Sequence, residues 1–192
     1  MNIVIDRLLK RYGDQIVLNG FSAHIPQGKI TCLMGRSGCG KTTLLHILMG
    51  LVQPDGGSIY GLDGLRISAV FQENRLCERL NAVSNVKLVC EYTMNDGNIK
   101  NQLENVGLLN EDIAKPVSQL SGGMKRRVAI VRAMAVPFDL VFMDEPFKGL
   151  DDETRQLVVG YLLQKLGGKT ALIVTHDPAE ARLLGGTVLE ME

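Results

Sequence analysis

The segment Gly35-Arg36-Ser37-Gly38-Cys39-Gly40-Lys41-Thr42 follows the spacing G-x-x-x-x-G-K-[ST], a pattern whose chemistry is the cradling of phosphates. Gly35, Gly38 and Gly40 permit backbone angles and close approaches that a side chain blocks, so successive N–H groups can surround an anion. A helix that starts here adds its positive N-terminal end. Lys41 then supplies a mobile cation for the β- and γ-phosphates, and the Thr42 hydroxyl is a ligand for Mg²⁺. Arg36, Ser37, Cys39 and Thr43 belong to the same nucleotide-contacting run, with a thiol inside the loop at Cys39. The plain alternative is a Gly-rich turn before an ordinary helix. An apolar run over 30–34 and an apolar helix pattern over 44–49 favour the phosphate loop and its ligand, a nucleoside triphosphate.

Other polar residues stand directly after apolar runs that read as strands. Gln72 follows 67–71, Asp144 and Glu145 follow 140–143, and His176 follows 171–175. In an open parallel sheet, ligands gather beyond the carboxyl ends of the strands, which makes these positions the ones to inspect. Asp144 suits a second ligand of Mg²⁺, with Val141 and Phe142 as buried strand residues that place it. Glu145 can polarise an attacking water, Gln72 can orient water or metal, and His176 can hold water and γ-phosphate in line. Asp144 and Glu145 could instead open a turn before Pro146, and an isolated Gln or His is more often structural. Asp177-Pro178-Ala179-Glu180 reads as a helix start, with a capping Asp, Pro at the first position and Glu at the third.

The elements that must position these groups alternate between strand and helix. Strand patterns fall at 3–9, 16–18, 21–25, 30–34, 58–60, 67–71, 140–143, 171–175 and 187–189, with a turn at Gly13-Asp14. Helical patterns fall at 83–92, 99–106, 124–135, 153–166 and 179–184. This alternation predicts an α/β fold of the P-loop NTPase type: a mostly parallel sheet, an antiparallel β part near the N-terminus and an inserted helical lobe. The expected division is a catalytic core of 1–72 and 120–192 with a lobe at 73–119, all within one domain of 192 residues.

The chain carries 21 basic and 21 acidic side chains, so no global field attracts nucleic acid or anionic lipid, and nucleic acid is not an expected partner. The longest uncharged apolar stretch is too short for a bilayer, and charges at Asp6, Arg7, Lys10 and Arg11 break any leader-like pattern. No direct membrane insertion is expected. Cys32, Cys39, Cys77 and Cys90 lack metal-ligand spacing and read as reduced thiols, so the expected location is cytoplasmic.

Leu120-Ser121-Gly122-Gly123-Met124 narrows the problem. Ser121 caps a helix whose first turn opens with two glycines, which makes a second anion site. A use for it is to close on the γ-phosphate held by another subunit, giving two composite sites across an isologous dimer. With this segment in place the chain resembles the ATP-binding subunits of ABC transporters. The resemblance rests on 35–42 as Walker A, Gln72 in Phe71-Gln72-Glu73-Asn74 as the Q-loop, 120–124 as the signature, 140–145 as Walker B, Gly149-Leu150-Asp151 as the D-loop and His176 as the switch histidine. They occur in family order across nearly the whole chain.

The resemblance implies ATP and Mg²⁺ as cofactors and Lys41, Gln72, Glu145 and His176 as catalytic residues, with Thr42, Gln72 and Asp144 at the metal. It implies that Tyr12 stacks on adenine, although a Tyr in a hairpin explains that residue almost as well. Ser121, Gly122 and Gly123 would contact the partner's γ-phosphate, and Asp151 would link the two sites. Its implied partners are a second ATPase subunit, identical or not, and a transmembrane permease that holds the protein peripherally on the inner face of the membrane. Arg75, Leu76, Cys77 and Leu80 are the implied permease contacts, or ordinary lobe packing. Met124 departs from the family's usual Gln and Lys148 from its usual small residue. The segment between Lys41 and Gln72 is short, and the chain ends soon after His176, as a catalytic unit without an added regulatory domain would. Lys125, Arg126 and Arg127 read as a solvated face of their helix. The wording of 71–76 and 143–147 is similar to importer subunits of the nitrate, sulfonate and taurine group. A soluble ATPase of the same family that remodels a protein or nucleic acid, and a nonhydrolysing nucleotide-binding regulator, are the other readings. The first usually carries tandem cassettes or coiled coils, which this chain lacks, and Glu145 and His176 speak against the second.

Overall fold

The structure, a computed structural model, describes residues 2–90 and 94–191. The chain divides into two compact units. One comprises 1–67, 139–144 and 168–192, the other 68–138 and 145–167.

The first unit opens with an antiparallel sheet in the order β2-β1-β4, from β1 (Ile3–Tyr12), β2 (Gln15–Ile25) and β4 (Gly56–Tyr60). The turn at Gly13-Asp14 joins β1 to β2, and Gly13 adopts the positive φ of 57° that such a short connection needs. Two of the expected strands, 16–18 and 21–25, are one continuous strand. The Asn19-Gly20 pair looks like a turn signal, but Leu8 pairs with Phe21 while Leu9 pairs with Asn19, so Gly20 is absorbed as a bulge.

The same unit contains the parallel strands in the order β6-β7-β3-β8: β3 (Ile30–Gly35), β6 (Leu140–Asp144), β7 (Thr170–Val174) and β8 (Thr187–Met191). Every residue of β6 and β7 is buried, as strands covered on both faces require. α1 (Lys41–Leu48) follows β3, and its Leu44, Leu45, Ile47 and Leu48 share one core with Leu33, Phe142, Leu172 and Val174. That core fixes the ends of β3 and β6, where the candidate chemistry begins. β5 (Ile67–Val70) runs across the division between the units.

The second unit is helical. It holds α2 (Ala82–Lys87), α3 (Asp96–Asn105), α4 (Asn110–Ala114), α5 (Gly122–Met134) and α6 (Asp152–Leu166). Asn81 caps α2 and Asn95 caps α3, each accepting from the backbone N–H three residues on. The helix expected over 83–92 spans Ala82–Lys87, and part of the expected range lies outside the described residues. α4 has no counterpart in the sequence reading, because five residues are too few to show a period. The last helix, α7 (Pro178–Leu184), returns to the first unit.

The four thiols are free, and their settings differ. Cys32 lies fully buried in β3, where burial foremost and then the charge of Glu180 push its pKa up from 9.0 to about 11. The folded state therefore keeps this proton more tightly than the unfolded chain does. Its stabilising effect is complete below pH 9 and is lost as pH rises toward 11, by at most about 3 kcal/mol. At pH 8 the exposed Cys77 should react readily with a thiol reagent, whereas Cys32 and Cys90 should react only on unfolding. Mass spectrometry of the labelled peptides checks this, and early modification of Cys32 would contradict the buried setting.

Candidate nucleotide site

The chemistry at the end of β3 is assembled by close backbone approaches. A Cβ on Gly35 would lie 2.2 Å from the Met191 carbonyl oxygen and 2.9 Å from Cys39 Sγ. Gly40, at a φ of 103°, would bring a Cβ to 2.9 Å from Val17 Cγ1. No other residue fits either position without moving backbone or core. Between them Arg36, Ser37 and Gly38 are exposed on a tightly held base.

Lys41 is only 9% exposed, and its ammonium donates to the carbonyl oxygens of Gly35 at 2.7 Å and Arg36 at 2.8 Å. The cation is thereby curled over the loop that a phosphate chain would enter. One residue on, Thr42 Oγ1 donates to Asp144 Oδ2 at 2.7 Å. A hydroxyl from the start of α1 and a carboxylate from the end of β6 thus meet at one point, as a hard cation such as Mg²⁺ prefers. Among the described residues no cluster of three or more His, Cys, Asp or Glu forms a metal site. Two protein oxygens completed by phosphate and water oxygens fit Mg²⁺, which dehydrates reluctantly and binds few carboxylates. Thr43 is half-buried on the next position of α1.

His176 is exposed just past β7 and lines a cavity of about 560 Å³ with Met34, Gly35, Arg36, Glu190 and Met191. The structure therefore brings His176 to the start of the phosphate loop. Its position is fixed from behind. Thr175 is buried, its hydroxyl donates to the Glu180 carboxylate, and it accepts from the Asp177 N–H at 3.1 Å. Asp177 caps α7 by accepting from Ala179 N at 2.8 Å. Asp177 and Pro178 play the expected roles, whereas Glu180 is engaged by Thr175, which takes the Asp177 N–H in the manner expected of Glu180.

In the second unit Ser121 accepts from Met124 N at 3.2 Å and opens α5 as expected. Gly123 lies against the turn 149–150, where a Cβ would stand 3.1 Å from the Gly149 carbonyl oxygen. Asp151 caps α6, accepting from Thr154 N at 2.8 Å, and that backbone N–H followed by the Thr154 hydroxyl holds its carboxyl below the usual range. Ser121, Gly122, Gly123, Lys148 and Asp151 line one cavity of about 530 Å³.

Arg126 and Arg127 are not solvated. Both are buried, with Arg126 donating to the Phe71 and Gln72 carbonyls at 2.6 and 2.5 Å and Arg127 to those of Val106 and Gly107 at 3.0 and 2.7 Å. A run of three cations gives no sign of this, because their partners are main-chain oxygens far away in sequence. Lys125 is the outward one and pairs with Glu78 at 2.9 Å. Gln72 itself is exposed and outside both cavities, held through its carbonyl.

Glu145 occupies the left-handed region at φ 47°, unusual for a residue with a Cβ and a mark of a position under constraint. Its carboxylate pairs with Lys148 Nζ at 3.0 Å. Tyr12 ends β1, half exposed, with the Lys10 ammonium 5.4 Å from its ring centre. In the stretch expected to meet a permease, Arg75 stacks on the Phe71 ring at 3.8 Å, and Cys77 to Leu80 are organised by Asn85. Asn85 is fully buried, accepting from Cys77 N and donating to the carbonyls of Cys77, Leu80 and Asn81. It was invisible in the sequence as one polar residue in a helix.

Comparison with known proteins gives a consistent result. A family model described as ABC transporter matches residues 18–148. An aliphatic sulfonates import ATP-binding protein of Rhodopseudomonas palustris (strain BisA53) is 38% identical over 99% of this chain and 70% of its own length. A taurine import ATP-binding protein of Ruegeria pomeroyi is 36% identical over 91% of this chain and 69% of its own. The dimeric structure of a bacterial ABC transporter cassette superposes with a TM-score of 0.85 at 29% identity, covering 98% of this chain and 94% of that one. The same cassette, in a post-hydrolysis dimer bound to ADP and Pi, covers 99% of this chain and 94% of that one, with a TM-score of 0.85 at 28% identity.

Proposed function

The chain belongs to the ABC transporter family, and from that premise we propose that it hydrolyses ATP at the interface of a two-subunit assembly to drive import of a sulfonate or similar small oxoanion through a separate permease. The observation that carries the reading is the junction of Thr42 and Asp144 at 2.7 Å beneath a Gly-built loop that Lys41 already covers. Thr42 and Asp144 would hold Mg²⁺, with Gln72 proposed as a further oxygen ligand, and the metal when bound would supply charge neutralisation on the transferred phosphoryl group.

The chain's own residues do the rest. The loop amides of 35–42 grip the phosphates, with Arg36, Ser37, Cys39 and Thr43 around them, and Lys41 exchanges its two carbonyl partners for phosphate oxygens. Glu145 accepts a proton from the attacking water, and His176 orients that water from its fixed place after β7. Tyr12 stacks on the base. Ser121, Gly122 and Gly123 approach the partner subunit's nucleotide, with Asp151 beside them in the same cavity. Among the described residues no helix is long and apolar enough to cross a membrane.

The experiment co-expresses the chain with a candidate multi-span permease of a sulfonate or taurine importer. Copurification, and ATPase activity that rises several-fold in proteoliposomes holding a cognate binding protein loaded with sulfonate or taurine, support the proposal. Hydrolysis with no membrane partner and no stimulation would overturn the transport part. MgATP should also shield Cys39 from alkylation, since the thiol lies in the loop 3.8 Å from Lys41 Nζ; equal labelling with and without nucleotide would count against it.

A further inference from the structure

Lys148 touches two things at once. Its ammonium pairs with Glu145 at 3.0 Å, and the residue lines the cavity opened by Ser121, Gly122 and Gly123. The guanidinium groups that line this cavity, Arg126 and Arg127, are committed to main-chain carbonyls, while the Lys148 side chain is 55% exposed. A flexible four-carbon stem carries a point charge that can change partners with little rearrangement.

We infer that Lys148 is an exchange switch for the hydrolytic carboxylate: it pairs with Glu145 until the polyphosphate of the partner subunit's nucleotide enters the cavity, then transfers to that anion. While paired, Glu145 has its charge countered by an ammonium 3.0 Å away, so it is a poorer base for water. Once the phosphate takes the ammonium, the carboxylate is released as the composite site closes. Hydrolysis is thereby tied to dimer closure by a charge located in the same cavity as Ser121, Gly122 and Gly123. The left-handed backbone at Glu145 and the 3.2 Å hydrogen bond from Lys148 N to the Glu145 carbonyl keep both side chains on one tight turn, which suits such an exchange.

This inference rests on the proposed ATP-driven dimer, and the test separates the two. Glu145→Gln abolishes the ion pair, so in that background Lys148 has only the phosphate role. Dimer formation at saturating MgATP is followed by light scattering against protein concentration for Glu145→Gln, Glu145→Gln/Lys148→Ala and Glu145→Gln/Lys148→Arg. The Ala variant should need about tenfold more protein to dimerise, and the Arg variant should stay within about threefold of the parent. Thermal melting of the nucleotide-free proteins should be alike, because the side chain is exposed. Equal dimerisation of the parent and the Ala variant would overturn the switch while leaving the dimer intact. Failure of Glu145→Gln itself to dimerise on MgATP would overturn the dimeric reading and the switch with it.

Discussion

Replacing Glu145 with Gln should leave MgATP binding near its original strength, slow phosphate release by roughly a hundred- to ten-thousandfold, and accumulate a nucleotide-bound dimer. Gln keeps the shape of the side chain and can still orient water, but it has no charge with which to take a proton. The backbone at φ 47° belongs to the turn rather than to the carboxylate, so the fold should survive the change. Loss of the pair with Lys148 has little effect on stability, since Lys148 is more than half exposed. Steady-state phosphate release and light scattering with MgATP read the two effects. Turnover at the original rate would remove Glu145 from its role.

Lys41→Ala should lose binding itself. In the nucleotide-free protein this buried ammonium satisfies the carbonyls of Gly35 and Arg36, and those bonds are what a triphosphate would displace. Charge-assisted hydrogen bonds contribute about 1.5–3 kcal/mol each. Removing the donor should therefore weaken MgATP by at least about a hundredfold. Calorimetric titration gives the affinity, and a melting curve without nucleotide shows whether the variant is folded. An unchanged affinity would refute the phosphate-loop assignment.

Much of the candidate site was legible because it is written in short local patterns. The glycines at 35 and 40 are demanded by contacts within a few ångströms, and Asp144 ends a run of strand residues that are buried throughout, Val141 and Phe142 among them. What escaped the reading depends on distance along the chain. Arg126 and Arg127 are followed by no local acid, and their partners at Phe71, Gln72, Val106 and Gly107 are carbonyls that every residue possesses. Asn85 was hidden for the same reason. The strand patterns at 16–18 and 21–25 are separate in the sequence because the glycine between them suits a bulge as well as a turn, and only the pairing register tells the two apart. Lys148 departs from the family's usual small residue in the sequence, but its ion pair depends on the turn that follows Glu145.

The guanidinium bonds along α5 have a mechanical meaning. Phe71 to Arg75 contribute little regular structure of their own; Arg126 holds the carbonyls of Phe71 and Gln72, and Arg132, two turns further on, holds those of Asn74 and Arg75. The segment borrows its stiffness from the helix, like a cable clamped at intervals to a rod. The segment that contains Gln72 is thereby tied to the same helix that Ser121 caps, so a displacement of α5 should carry Gln72 and its neighbours with it, and loss of either arginine should loosen that tie.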